Sequence, residues 1–197
     1  MDIDTLKKRI ELALADRPRR VVEREDLVPS AVLLAITDPA LRILFIKRSD
    51  RVAHHKGQIS FPGGIVETWD GSRLETALRE AQEEIGLPPD AVEILGTLDD
   101  WETNATQFVI TPFVGLVRAP MTYTPDGREV ERVLELPLEA FLNPANFHVE
   151  HWERDGHLLP VYFYEADGEV VWGATARILK QFLDLVFPGW ERSQGPR

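Results

Sequence analysis

Residues 64–87, GIVETWDGSRLETALREAQEEIGL, carry a helix start, an apolar stripe and a helix stop in one segment. Ser72 and Glu75 form an S-x-x-E capping box, which starts a helix. Gly86 stands where a helix ends on a left-handed residue, and Pro88-Pro89 forbid continuation. The stretch therefore predicts a helix over 72–85. At about 100° per residue, Leu74, Leu78, Ala81 and Ile85 form one apolar stripe. Glu80, Glu83 and Glu84 fall on the opposite side, where i, i+3 and i+4 spacing sets three carboxylates side by side. Like charges so placed weaken a helix slightly, and Arg79 offsets only part of that. A Glu-rich face can be mere solvated surface. Two features favour a cation site. Gly63-Gly64 precede the helix and let the backbone approach another group closely. Residues 67–84 also hold six acids (Glu67, Asp70, Glu75, Glu80, Glu83, Glu84) against Arg73 and Arg79. Hard oxygen donors of this kind suit Mg²⁺ or Mn²⁺, which keep waters and bridge to phosphates.

Immediately upstream the charge reverses. Residues 42–56 carry Arg42, Lys47, Arg48, Arg51 and Lys56 against Asp50, a balance of +4, with His54 and His55 besides. A basic, glycine-rich loop next to an acidic helix could hold phosphate oxygens between guanidinium groups and a metal. Ala31–Thr37 and Ile43–Ile46 are apolar runs split by Asp38-Pro39 and predict a strand hairpin, while 49–64 predict an ordered loop. Val92–Thr97, Phe108–Val117 and Val130–Leu136 predict strands, with a short helix at Leu138–Leu142. Asp155-Gly156 and Asp167-Gly168 mark hairpins within 147–172. A helix of about 3–16 precedes this core, and another, over 174–187, closes it with Ile178, Phe182, Leu185 and Val186 on one face. Strands with helices before, between and after predict an α/β layered fold.

Composition sets outer bounds. The chain has 197 residues, 33 Asp plus Glu against 22 Lys plus Arg, a net charge of −11, and no cysteine. With 44% hydrophobic residues it can bury a core. The charge argues against bulk nucleic-acid binding. Zero cysteines exclude disulfides, thiolate metal sites and Cys nucleophiles, and fit a reducing compartment. Neither a secretory leader nor an 18-residue apolar span is read, so the expectation is a cytoplasmic protein with no membrane partner, a homodimer remaining open.

Residues 64–87 resemble the Nudix box, G-x5-E-x7-R-E-U-x-E-E-x-G-U. Arg79-Glu80-Ala81-Gln82-Glu83-Glu84-Ile85-Gly86-Leu87 match its second half, and the first half carries one extra residue, which sets the box glutamate's place on Gly71 beside Asp70. Leu44–Gly64, LFIKRSDRVAHHKGQISFPGG, resembles the coenzyme A pyrophosphatase signature within that family. Arg48, Ser49, Gly57, Phe61, Pro62, Gly63 and Gly64 are in register, and Ala53 stands where the signature has arginine. The resemblance covers about residues 30–187 and implies one Nudix-type domain over 1–197, an α/β/α sandwich with a mixed sheet. It implies metal-dependent cleavage of the pyrophosphate of coenzyme A, giving phosphopantetheine and adenosine 3′,5′-bisphosphate. Glu80, Glu84, Glu83 and the Gly64 carbonyl would hold Mg²⁺ or Mn²⁺, and Arg79 would orient an acid. Arg48, Lys56, His55 and Phe61 would serve substrate. Glu80, Glu102 or Glu129 would be the general base. Other nucleoside diphosphate derivatives, such as ADP-ribose or dinucleoside polyphosphates, are the alternative substrates, and a non-catalytic Nudix module is the alternative class. Each of Trp69, Trp101, Trp152, Trp172 and Trp190 could stack on a base or belong to the core.

Overall fold

The computed structural model describes residues 1–51, 56–103, 107–118, 121–154 and 156–192. Helix α1 (Ile3–Leu14) is followed by strands β1 (Val28–Thr37), β2 (Arg42–Arg48), β3 (Ile59–Ser60) and β4 (Gly63–Ile65). Then come α2 (Arg73–Ile85), β5 (Val92–Thr97), β6 (Trp101–Glu102), β7 (Phe108–Val117), β8 (Val130–Pro137) and α3 (Leu138–Phe141). Strands β9 (Phe147–Arg154), β10 (His157–Ala166) and β11 (Glu169–Trp172) and helix α4 (Gly173–Val186) complete the chain.

The main sheet runs β3-β2-β1-β7-β5, with β4 on β1, β6 on β7 and β8 on β2. β1 and β7 are parallel over ten residue pairs, Val28 opposite Phe108 to Thr37 opposite Val117. The other pairings of this sheet are antiparallel, including the predicted β1–β2 hairpin. Successive side chains on a strand point to opposite faces. Ala31, Leu33 and Ala35 of β1 and Leu44 and Ile46 of β2 therefore face one apolar layer with Ala77, Ala81 and Ile85 of α2. Leu34 and Ile36, with Ile43 and Phe45, face the other layer with Leu6 and Ile10 of α1 and Ile178, Phe182 and Val186 of α4. Burial on both faces is why these strands read as unbroken apolar runs. The result is the expected α/β/α sandwich with a mixed sheet. β9, β10 and β11 form a second, three-stranded sheet, and its Asp167-Gly168 turn has positive φ at both residues, as a type I′ hairpin needs. Asp155 lies outside the described residues. Among the described residues no helix is long and apolar enough to cross a membrane.

The predicted loop 49–64 contains two short strands instead. β3 pairs with β2, and β4 pairs with β1 through Ala31 opposite Gly64. Segments of two or three residues carry no readable period, so the glycines and prolines dominate the sequence signal. The connector before β1 is a strap. Arg17 pairs with Asp99, Arg19 with Asp100, and Arg20 and Arg24 with Glu102. Asp100 is 1% exposed and also accepts from Arg73 at the start of α2, from the Thr111 hydroxyl and from the Val22 amide. Removing the charge of one partner in such a buried network leaves the others uncompensated. Asp100→Asn is expected to cost about 3 kcal/mol, or about 6–12 °C in thermal midpoint by calorimetry.

Candidate active site

Two elements build the site, and the box glycines join them. Ser72 caps α2 by accepting from the Glu75 amide at 3.2 Å, and Gly86 closes it at φ +70°. The Glu75 carboxylate reaches the Gly71 amide, at 2.8 Å, one residue before the position an ideal capping box would use. β4 then lies against the helix face that the sequence assigned to solvent. The Gly63 amide donates to Glu84 Oε2 at 3.0 Å, and Glu84 is only 6% exposed. A Cβ on Gly64 would lie 2.6 Å from Glu80 Cδ and Oε1. The expectation that all three acids point away from the core is thereby corrected. Glu84 is buried under Gly63, Glu80 is half-buried beside Gly64, and only Glu83 is exposed, its side chain at 62%. Glu83 lies about 100° round the helix from Glu84, so the short strand that covers one leaves the other in water.

Arg79 holds the cluster in register. It binds Asp70 through Nε at 2.9 Å and Nη2 at 3.1 Å, Glu80 at 2.8 Å, Glu83 at 3.2 Å and the Ile65 carbonyl at 3.3 Å. Asp70 also accepts from the Glu67 amide and the Thr76 hydroxyl. The Arg79 guanidinium, aided by the Glu67 amide and the Thr76 hydroxyl, holds the Asp70 carboxyl well below the usual carboxylate range. Asp70 thus anchors Arg79, a role the sequence did not disclose because an inserted residue displaces it from the box glutamate's place. Burial pushes the Glu80 carboxyl up, with Arg79 opposing. Burial pushes Glu84 up to about 8, the Gly63 amide opposing and Glu80 adding to the rise.

A third element arrives from the other side of α2. The Thr124 amide donates to the Ile85 carbonyl and the Asp126 amide to the Glu84 carbonyl, satisfying acceptors that the last helical turn leaves open. Asp126 Oδ1 then accepts from the amides of Arg128, Glu129 and Val130. This turn hangs Glu129 on the backbone of Glu84 itself. The Ser49 amide donates to the Glu129 carbonyl at 2.7 Å, and Arg48 Nη2 donates to Glu129 Oε2 at 3.4 Å. The charges of Arg48 and Glu129 both act on Glu84, and that of Glu129 also on Glu80. The structure therefore brings Glu80, Glu84, Gly64, Arg79, Arg48 and Glu129 to one place. Glu102 is held elsewhere, by Arg20 and Arg24 of the strap. Lys56 is exposed. His54, His55 and Ala53 lie outside the described residues. Phe61 is 2% exposed and stacked on Phe45 at 4.9 Å, so its ring is core packing and offers no surface to a substrate, correcting that expectation. Of the tryptophans, Trp190 is core, Trp69 is 72% exposed, Trp172 stacks on Phe163, and Trp101 lies under Arg177.

Among the described residues no three carboxylates or imidazoles already enclose a common point. The donor chemistry nevertheless fits a hard divalent cation. Glu84 is a buried carboxylate that meets one amide and, among the described residues, pairs with no cation. Such a group is costly in charged form unless a counter-charge arrives. Mg²⁺ takes one or two carboxylates and completes its shell with water and phosphate, so a two-acid site suffices.

The NUDIX domain family matches residues 27–162. The chain is 34% identical over 181 residues to a protein of Enterobacter sp. (strain 638) named "Uncharacterized Nudix hydrolase NudL", covering 92% of this chain and 93% of that one. The protein of the same name in Salmonella typhimurium (strain LT2) is 35% identical over 166 residues, 84% and 86% of the two chains. In fold, the chain is similar to a MutT/nudix family protein from Enterococcus faecalis, with a TM-score of 0.55 at 14% identity, over 94% of this chain and 74% of that one.

Proposed function

This chain belongs to the Nudix hydrolase family, and we propose that it hydrolyses the pyrophosphate of coenzyme A or its derivatives, releasing phosphopantetheine and adenosine 3′,5′-bisphosphate. One observation carries the reading. Arg48, part of the segment that resembles the coenzyme A pyrophosphatase signature, donates through Nη2 to Glu129 Oε2 at 3.4 Å, and its charge acts on Glu84. Its side chain keeps 23% of its surface exposed, so a guanidinium beside the acids is open to a phosphate oxygen.

Glu80 and Glu84 would hold Mg²⁺ or Mn²⁺, with the Gly64 carbonyl beside them and Glu83 outermost. A divalent cation, when bound, neutralises pyrophosphate oxygens and lowers the pKa of water. The chain's own residues divide the rest. Arg79 has its donors committed to Asp70, Glu80, Glu83 and Ile65, so it orients Glu80 and stays off the substrate. Arg48 places positive charge against the phosphates. Glu129, 60% exposed in its side chain and fixed by the Asp126 turn, is the acid best placed to take the proton of the attacking water. Water adds across one P–O bond: its hydroxyl goes to phosphorus, and its one remaining proton passes to Glu129 and from there to the oxygen of the departing phosphate.

Hydrolysis in ¹⁸O-water with mass spectrometry of both products tests substrate, bond and site of attack together. Label in one of the two named products supports the reading. Faster turnover of ADP-ribose or a dinucleoside polyphosphate than of coenzyme A overturns the substrate. Glu129→Gln is expected to lower kcat by about 10²–10³-fold with KM within a few fold of wild type. A fall in kcat under fivefold would pass the base role to another acid.

A further inference from the structure

The face of the sheet opposite α2 carries a second polar site. A pocket of about 350 Å³ opens between α4, β6 and β10, a size that suits a small ligand. Arg177 of α4 enters it between two rings. Its guanidinium carbon lies 4.6 Å from the centre of Trp101 and 5.1 Å from that of Tyr162, and Nη1 donates to the Tyr162 hydroxyl at 2.6 Å. The acids on the wall are engaged by others. Asp99 is taken by Arg17 and Gln181, Asp100 by Arg19 and Arg73, and Asp184 by Lys180 and Trp190. In a chain with 33 acids and 22 Lys plus Arg, Arg177 pairs with no carboxylate among the described residues.

We propose that this pocket binds a nucleotide phosphomonoester, with Arg177 taking the phosphate and the ring of Trp101 flanking the nucleoside. Nη1 of Arg177 is held by the Tyr162 hydroxyl, and its Nε and Nη2 edge, unpaired among the described residues, suits bidentate contact with phosphate. Tyr162 is covered by Phe147, Arg177 and Lys180, so the half-buried Trp101 is the ring that offers apolar surface to a base. Lys180, paired with Asp184 and Glu191, adds a cation to the same wall. Trp101 stands opposite Ile110, Ile110 opposite Ser30, and Ser30 opposite Ile65 beside Gly64. Three strand spacings of about 4.8 Å separate that row's ends, about 14 Å. The phosphomonoester is therefore either the one carried by the molecule being hydrolysed or one on a separately bound nucleotide. The first source rests on the coenzyme A reading, since coenzyme A has a 3′-phosphate; the second does not.

Calorimetric titration with adenosine 3′,5′-bisphosphate, in metal-free buffer, needs no turnover and tests the pocket directly. Wild type is expected to bind it, Arg177→Gln at least tenfold more weakly, and Arg177→Lys in between, since lysine keeps charge but not the planar edge. Equal affinity in all three, or no binding to wild type at millimolar ligand, overturns the proposal. Melting curves check the variants, and Arg177→Lys carries the test alone where Arg177→Gln does not fold. The source is decided by KM for coenzyme A against dephospho-coenzyme A, which lacks the 3′-phosphate. A tenfold rise of that ratio in Arg177→Gln assigns the phosphate to the substrate. An unchanged ratio with lost bisphosphate binding assigns it to a separate nucleotide. Bisphosphate binding that depends on Arg177, in a protein that leaves coenzyme A intact, would refute the substrate reading and keep the pocket.

Discussion

Glu84→Gln is expected to lower kcat by about 10³-fold or more and, without metal, to make the protein more stable than wild type at pH 8 and above. The first effect follows from losing one of the two carboxylates that would carry the cation, which supplies several kcal/mol of charge stabilisation in phosphoryl transfer. Glutamine keeps the shape and still accepts from the Gly63 amide, so the loss reports on charge. The second effect follows from linkage. Burial raises the folded-state value of Glu84 to about 8 from an ordinary 4.5. The folded protein then holds a proton that the unfolded chain releases above about 4.5. Stability due to this group is full below pH 4.5 and is lost as pH rises to about 8. Glutamine does not titrate, so this part of the decline disappears in the variant. Melting curves from pH 5 to 9 check it, and Mg²⁺ is expected to raise the wild-type midpoint at pH 8 far more than the variant's. Activity within tenfold of wild type would remove Glu84 from the metal site. Parallel stability–pH curves would remove the linkage.

The same residue shows where sequence reading stops. The strands β1 and β2 were legible as apolar runs split by Asp38-Pro39, and the fold shows why the runs are unbroken: Ala31, Leu33 and Ala35 pack on one face, Leu34 and Ile36 on the other. Helix α2 was legible because its cap, stripe and stop agree. By angle Glu84 sits at the edge of the apolar stripe, about 20° from the buried Ala77 seven residues before it, and nothing local says that a three-residue strand will complete its cover. Its burial is tertiary, created by the pairing of Gly63 and Gly64 with β1. Phe61 failed for a related reason. A motif match gives a position, and the position here is filled by a ring stacked on Phe45. Asp126 went unread although its chemistry is local. An aspartate ahead of Gly127 can collect the next amides, and this one does, but only the fold shows that its own amide caps the Glu84 carbonyl. The order of Arg17, Arg19 and Arg20 emerges only when the 99–102 acids are folded beneath them.

Adjacent glycines should fail in opposite ways. Gly64→Ala is expected to lower kcat about 10²-fold while leaving the melting temperature within a few degrees. Gly63→Ala is expected to leave little folded protein. The three atoms nearest the added Cβ at position 64 all belong to Glu80, Cδ and Oε1 at 2.6 Å and Oε2 at 2.9 Å. That is the far end of a flexible side chain, so the collision is relieved by a rotamer change that costs little in folding. The carboxylate that moves is one of the two proposed to hold the cation, and a displacement near 1 Å in such a constellation costs about 10²-fold in rate. At position 63 the Cβ meets backbone, 2.2 Å from the Ala31 carbonyl oxygen and 2.7 Å from Val32 Cα, at φ +151°. Neither can yield without parting β4 from β1, and the positive φ already disfavours a side chain. Parting β4 from β1 would also withdraw the amide that Glu84 accepts from, so position 63 fails as a fold and position 64 as a catalyst. Melting curves and steady-state rates on both variants decide it. Full activity in Gly64→Ala would show that Glu80 can leave its place against the box glycine without consequence, and would remove it as a ligand.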